Sequence, residues 1–115
     1  MLEFDLTEEQ KALQRVARDF ARKEIRPVAM EMDQTDVPNN FPWELVKKGS
    51  ELGLRTLSLP VEWGGIGADA LTQLIVIDEL AYEDVSCSKI FSQNWKIAPL
   101  LFVAGTEEQK ERYLP

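Results

Sequence analysis

Leu52-Gly53-Leu54-Arg55-Thr56-Leu57-Ser58-Leu59-Pro60-Val61-Glu62-Trp63-Gly64-Gly65-Ile66-Gly67 is the stretch that decides the fold. Its apolar residues lack helical spacing, yet it holds four leucines, at positions 52, 54, 57 and 59. Large apolar side chains are usually buried, so we expect the flanking elements to cover all four. Pro60 is predicted to end an extended part, and the glycines after it to form a tight reversal. We call residues 52–67 the hook and predict that it joins two helical hairpins while lying partly inside the protein.

A first helix is predicted to begin at a capping box, Thr7-Glu8-Glu9-Gln10. Apolar residues then recur at spacings of three and four, and basic residues fill the opposite face. That basic stripe is either a solvated helix surface or an anion-binding surface, and the solvated surface is favoured. Pro27 is expected to break or kink this helix, with a further helical piece running to about Asp33.

A short second helix is predicted after an aperiodic surface loop at 33–41, which contains Pro38 and Asn39-Asn40. Pro42 suits its first turn, and Gly53 is expected to stop it. Gly49 lies on its apolar face, which predicts the close approach of another helix.

Two longer helices are predicted after the hook. Asp69 is a suitable N-cap for the third, whose apolar residues lie almost all the way round it, as in a central helix. Asp78 and Glu79 interrupt that pattern. They are either structural, in ion pairs or on a polar strip, or carboxylates with a raised pKa suited to proton transfer; the structural interpretation is favoured.

The fourth helix is predicted to run from about Val85 to Val103, capped by Asp84 to Ser86 and kinked at Pro99. One face is apolar and contains Cys87, Ile90, Phe91, Ala98, Leu101 and Phe102. A second, mixed stripe contains Ser88, Ser92 and Trp95, with Lys96 beside it. Gly105 is expected to end the helix, and a second capping box, 106–109, to begin a fifth.

These elements predict an all-α fold, an up-and-down or orthogonal bundle of about five helices, in which residues 1–115 form one domain. Twenty acidic against thirteen basic side chains give a net charge of −7, which disfavours binding to nucleic acid. With Cys87 alone and no histidine, the chain has no internal disulfide, no zinc-type ligand set and no Ser-His or Cys-His pair. We therefore expect a reducing, cytoplasmic location. Residues 1–6 lack a basic segment followed by an apolar run, and no apolar stretch approaches about 18 residues, so neither a signal peptide nor a membrane span is expected.

Residues 65–70 match the G-x-G-x-x-A pattern of dinucleotide-binding loops. Such a loop needs a strand directly before it and a second strand after its helix. Pro60 separates the extended piece from the glycines, and no second strand is predicted. A dinucleotide-binding loop is therefore not expected here.

Five ordered motifs instead resemble the N-terminal domain of the acyl-CoA dehydrogenase family. They are F-D-L-T-E-E-Q at 4–10, E-L-G-L at 51–54, P-V-E-W-G-G-I-G at 60–67, D-E-L-A at 78–81 and G-T-E-E-Q-K-E-R-Y-L-P at 105–115. The resemblance implies an FAD enzyme made of this helical domain, a middle β-domain and a C-terminal helical domain. In that family a carboxylate base removes a proton beside the thioester while the flavin takes a hydride from the next carbon.

The resemblance also implies that this chain lacks the chemistry itself. The family's base and main flavin-binding loop come after the first domain, so neither catalytic nor cofactor-binding residues are expected here, and the chain is expected to be a fragment. The family's next motif, of the Thr-Glu-Pro-x-Ala-Gly-Ser type, is absent from the sequence. The whole enzyme is expected to bind an acyl-CoA and to be a homo-oligomer, a dimer or a tetramer.

In the family, the start of the fourth helix lines the far end of the acyl pocket. The matching positions here are Ser88 and Ser92, with Phe91 at the border and Trp95 on the same face, where its bulk would shorten or reshape the cavity. The alternative is that these residues only pack against another domain. Lys96 is unusual beside an apolar pocket and argues against a simple fatty-acyl ligand.

A second hypothesis is a stand-alone helical module of the same fold, which binds a protein partner and has no enzymatic activity. Under the first hypothesis, the helices that would contact other domains should leave an apolar face bare in this chain.

Overall fold

The computed structural model describes residues 4–35 and 40–115, in which all regular structure is helical. The elements are α1 (Glu8–Phe20), a π-helical segment (Ala21–Ile25), α2 (Arg26–Gln34), α3 (Trp43–Glu51), a 3-10 turn (Val61–Trp63), α4 (Ala70–Glu83), α5 (Val85–Ala104) and α6 (Glu107–Tyr113). With α1, the π-helical segment and α2 taken as one continuous helix, these are the five predicted helices, and the all-α fold is confirmed. The predicted loop residues Pro38 and Asn39 lie outside the described residues.

Four helix starts are fixed by side-chain caps at their predicted positions. Thr7 Oγ1 accepts a hydrogen bond from the Gln10 amide at 3.1 Å, and the Gln10 side chain accepts one from the Thr7 amide at 3.0 Å. The box at 106–109 repeats this geometry. Asp69 and Asp84 accept from the amides three residues on, at 2.8 and 2.7 Å. Each cap satisfies an amide that has no acceptor within its helix.

Pro27 does not break the first helix, so that half of the prediction is wrong, and a kink at Pro27 stays a prediction. The backbone stays helical from Glu8 to Gln34 and changes type between Ala21 and Ile25, just before the proline. Proline has no amide hydrogen and its ring crowds the carbonyl four residues earlier. The wider π-turn, in which the Arg26 amide bonds to the Ala21 carbonyl, changes the hydrogen-bond pattern there without interrupting the helix.

α3 packs closely against α5 because Gly49 has no side chain. A Cβ at Gly49 would lie 2.4 Å from two ring carbons of Phe91 and 3.1 Å from the ring of Phe20. The predicted close approach at this glycine is therefore correct. Pro42 precedes α3 as its N-cap and does not belong to its first turn.

The hook lies partly inside the protein, as predicted, although not as an extended segment. Leu54, Leu57 and Leu59 are buried, whereas Leu52 is 52% exposed, so the expected burial fails at that residue. Leu52 caps the C-terminus of α3 before the left-handed Gly53 (φ 78°) and lies outside the core. The predicted extended part is wrong as well: residues 52–53 and 55–59 form turns and bends.

α4 packs against α1, the π-helical segment and α5. Val76 and Leu80 are fully buried on that side, but Leu71 and Leu74 on α4 are more than half exposed. α4 is therefore central on one side and open on the other. Among the helices that the structure describes, none is both long and apolar enough to cross a membrane.

Candidate functional site

A groove of about 380 Å³ runs between α4 and α5. Its lining residues are Ala70, Gln73, Leu74, Ile77, Ser92, Trp95 and Lys96. The α4 residues among them are spaced by three and four, so they share one helix face. The groove therefore has a mostly apolar floor with a short polar edge on α5.

Trp95 anchors the α5 side of this groove. Its side chain is 5% exposed, and its indole N–H donates to the Leu54 carbonyl in the hook at 2.6 Å. A buried indole N–H normally has such a partner. The bond ties the hook to α5 and leaves only ring carbon of Trp95 to face the groove.

Two of the four predicted site residues line the groove, and two lie behind it. Ser92 and Trp95 are in its wall. Ser88 is 2% exposed and donates to the Val85 carbonyl at 2.7 Å. Phe91 is fully buried and packs edge-on against Phe20, with ring centroids 5.7 Å apart. The mixed stripe of α5 thus divides between the domain core and the groove.

The sequence did not predict the α4 half of the groove. Residues 70, 73, 74 and 77 show helical spacing, but Leu74 and Ile77 fit equally well as core residues of a helix that is apolar all round. The one usable signal was Gln73, a polar residue on that face. Its side-chain amide donates to the Ala68 carbonyl at 2.8 Å, where it closes the N-terminal end of α4.

A larger groove, of about 720 Å³, lies between the hook and the starts of α1 and α4. Its charged lining residues are Glu9 and Asp69, with no basic side chain among them. It is therefore poorly suited to an anionic ligand despite its size, and the smaller groove between α4 and α5 is the better candidate site.

The two glycines of the G-x-G-x-x-A match are needed for the turn itself: Gly67 has a positive φ of 60°, and Gly65 is packed against backbone carbonyls. A Cβ at Gly65 would lie 1.9 Å from the Leu59 carbonyl oxygen and 2.4 Å from that of Thr56. The hook's own carbonyls thus fill the space in which a dinucleotide loop would receive a pyrophosphate, and no strand occurs in residues 4–35 or 40–115. The expectation that this loop is not a dinucleotide site agrees with both observations.

Two carboxylates of α4, Glu79 and Glu83, form ion pairs with arginines of the first helix. The Arg18 guanidinium donates two hydrogen bonds to Glu79 and thereby lowers the pKa of that carboxyl. Arg26 makes the same two-pronged pair with Glu83, at 2.7 and 2.6 Å. A lowered pKa is the opposite of what a proton-transferring carboxylate at neutral pH needs, so the structural interpretation of Glu79 is correct.

Comparisons with known proteins agree with this fold. Residues 7–115 match the family model described as acyl-CoA dehydrogenase, N-terminal domain. The chain is 39% identical over 114 residues to the acryloyl-CoA reductase (NADH) of Anaerotignum propionicum, covering 99% of this chain and 28% of that protein. It is 37% identical over 114 residues to the short-chain specific acyl-CoA dehydrogenase of Clostridium acetobutylicum, covering 98% and 29%.

A solved structure shows the same arrangement. The butyryl-CoA dehydrogenase of Megasphaera elsdenii superposes with a TM-score of 0.80 at 28% identity, over 98% of this chain and 30% of that one. The chain spans less than a third of the length of these relatives. By the family match and by the fold, the chain belongs to the acyl-CoA dehydrogenase family, in which it corresponds to the N-terminal domain.

Proposed function

We propose that this chain works as the N-terminal helical domain of a flavin-dependent acyl-CoA dehydrogenase, which oxidises the bond between the second and third carbons of an acyl-CoA thioester. The family match over residues 7–115 carries this proposal. The names of the relatives, which refer to acryloyl-CoA, short-chain acyl-CoA and butyryl-CoA, favour a short acyl group.

The task of this domain is to form a wall of the acyl pocket with the groove between α4 and α5. Ser92 and the ring of Trp95 contact the far end of the acyl group, and Ser88 and Phe91 hold α5 in place behind them. Because Trp95 is pinned by its bond to the hook, this wall is rigid and keeps water from the acyl chain. No residue of this chain is assigned a catalytic role.

The described residues do not fit a flavin. The glycine-rich turn is filled by its own carbonyls, and the large groove beside it carries carboxylates where a pyrophosphate would need donors. When FAD is bound, it supplies the hydride acceptor of the reaction. We assign its binding mainly to the middle and C-terminal domains that accompany this domain in the family.

The whole enzyme is further proposed to be a cytoplasmic homo-oligomer. The family resemblance supports the homo-oligomer, and the lone cysteine supports a reducing compartment. The one thiol, Cys87, is fully buried, and burial raises its pKa to about 12.

The test uses the complete product of the reading frame that contains this sequence. Purified protein should carry FAD and reduce an artificial electron acceptor when given butyryl-CoA. Substituting Ser92→Phe should fill the groove and lower kcat/KM more for hexanoyl-CoA than for butyryl-CoA, because added bulk at a pocket base penalises longer chains first.

Gln93→Phe is the matched control. Gln93 is exposed on the same helix and does not line the groove. Its substitution should therefore leave kcat/KM unchanged for both hexanoyl-CoA and butyryl-CoA. A flavin-free protein that leaves every acyl-CoA unchanged would contradict the proposed activity. Equal effects of the two substitutions would contradict the role of the groove.

A further inference from the structure

Lys96 is the one charged residue among the seven that line the groove between α4 and α5. The chain carries a net charge of −7, and Lys11, Lys48 and Lys110 each form an ion pair with a glutamate. No carboxylate lines the groove, and none occurs in the sequence of α5, from Val85 to Ala104. Lys96, an exposed residue, therefore places a cation at the edge of an apolar groove with no anion on its own helix.

The acids of the facing helix lie away from the groove. Glu79 and Glu83 of α4 pair with Arg18 and Arg26, on the side of α4 that faces the first helix. Asp78 lines a different surface groove together with Gln14. No carboxylate of α4 therefore lines the groove beside the Lys96 ammonium.

Some of the other hydrogen-bond donors in the groove are already bonded within the chain, and the Ser92 hydroxyl is available to a ligand. The Trp95 indole N–H and one N–H of the Gln73 side-chain amide are bonded to backbone carbonyls. The Ser92 hydroxyl makes only a long bond, 3.4 Å, to the Lys89 carbonyl. Ser92 and Lys96 are four residues apart, one helical turn, so they lie next to each other on the same face of α5.

An ammonium and a hydroxyl side by side above an apolar floor match an acyl chain that ends in an anion. The floor of Leu74, Ile77 and the Trp95 ring suits methylene groups, and the two donors suit a carboxylate. A saturated hydrocarbon end would instead strip water from the Lys96 ammonium without replacing its hydrogen bonds, which is unfavourable.

We infer that the acyl group held by this groove bears a terminal carboxylate, so that the enzyme's substrate is the mono-CoA thioester of a short dicarboxylic acid, paired at its free end with Lys96 and Ser92. The inference depends on the proposed function, because it names the substrate class of that same pocket. Lys96 acts here as a specificity residue and takes no part in bond breaking.

The test compares two thioesters of equal chain length in the complete protein. Glutaryl-CoA and valeryl-CoA differ at the far end of the acyl chain, which is a carboxylate in the first and a methyl group in the second. The unmodified enzyme should show a higher kcat/KM for glutaryl-CoA. Lys96→Met, which keeps length and removes charge, should lower the glutaryl-to-valeryl ratio about tenfold to a hundredfold, the range of one charge-assisted hydrogen bond.

Two further variants separate charge from structure. Lys96→Arg keeps the charge and should retain most of the preference for glutaryl-CoA. Lys89→Met removes an exposed lysine of the same helix that does not line the groove, and it should leave the ratio unchanged.

The possible results separate a failure of the inferred substrate class from a failure of the proposed function. Oxidation of valeryl-CoA in preference to glutaryl-CoA, with a ratio that Lys96→Met does not move, would overturn the inference and leave the proposed function standing. An equal loss on both substrates would show that Lys96 holds the domain against its neighbours, which also overturns it. A protein that oxidises neither thioester, nor any other acyl-CoA, would remove the proposed function itself.

Discussion

The two faces of α5 differ sharply in how completely their side chains are buried. On the inner face, Cys87, Phe91 and Trp95 are at most 5% exposed and contact the first helix, α3 and the hook. On the outer face, Ile97, Leu100 and Val103 are 60%, 64% and 81% exposed. The same helix therefore builds the core of this domain with one face and offers an apolar surface with the other.

Because of this difference, we expect the residues that determine the stability of the domain to be distinct from those that determine its function. Substitutions on the inner face should change the free energy of unfolding of the 115-residue chain. Substitutions on the outer face, or of groove residues other than the buried Trp95, should leave that stability nearly unchanged and act on ligand binding or on contacts with other domains. Four substitutions test this division, in order of decreasing effect.

The largest effect is expected from Phe91→Ala. Phe91 is fully buried, packs against Phe20 and fills the space opened by Gly49, so its truncation leaves a cavity that backbone packing cannot collapse. The free energy of unfolding should fall by about 3–5 kcal/mol in urea denaturation. Phe4→Ala, at a residue that is 87% exposed, is the control and should cost little. Similar losses in both variants would break the proposed division of the helix.

A smaller effect is expected from Trp95→Phe. The substitution keeps an aromatic ring but removes the donor to the Leu54 carbonyl, leaving a buried acceptor unsatisfied. The free energy of unfolding should fall by about 1–3 kcal/mol. Trp43→Phe, at a 72% exposed position, should change it hardly at all. If Trp95→Phe unfolds at the same denaturant concentration as the unmodified chain, the hook is not held by this bond.

Acid should weaken the attachment of α4 to the first helix. The hydrogen bonds from Arg18 lower the pKa of Glu79 below its ordinary value of 4.5. A carboxyl whose pKa is lowered on folding contributes stability above its unfolded pKa and loses it as the pH falls through the folded one. Glu79→Gln should therefore reduce the pH dependence of the melting temperature below about pH 4.5. If Glu79→Gln leaves the fall of the melting temperature at acid pH unchanged, the ion pair is not formed in solution.

The smallest effect on stability is expected on the outer face. Leu100→Ser should alter the free energy of unfolding of the isolated chain by no more than about 0.5 kcal/mol, because this side chain is already mostly in water. In sedimentation, the same substitution should reduce self-association of the chain, since the exposed apolar surface becomes smaller. A strictly monomeric unmodified chain would contradict the view that this face is normally covered.

Local signals account for the parts of this structure that the sequence predicted well. Thr7, Asp69, Asp84 and Thr106 cap helices through bonds to residues three positions on, so their effect is visible in short windows. The close approach at Gly49 was also predictable, because a glycine costs helix stability and is favoured on an apolar face where a side chain would not fit.

Long-range geometry accounts for what was missed. Trp95 bonds to a carbonyl 41 residues away, and the α4 wall of the groove depends on how two helices cross. Neither is encoded in spacing along the chain. The exposure of Leu52 depends on how the hook packs against the helices, which residue type alone does not specify. The π-helical segment before Pro27 is a local backbone adjustment that residue type does not specify either. Of the predicted site, Ser92 and Trp95 came from the family resemblance and helix periodicity together.

The central claim is that this helical domain forms the wall of an acyl pocket in a flavoenzyme and carries none of the chemistry itself. The most direct measurement is anaerobic titration of the complete protein with an acyl-CoA while the absorbance of its bound flavin is followed. The account predicts that the flavin is reduced and that Ser92→Phe raises the concentration of hexanoyl-CoA needed. Turnover of an acyl-CoA by residues 1–115 alone, or a complete protein whose flavin no acyl-CoA reduces, would contradict it.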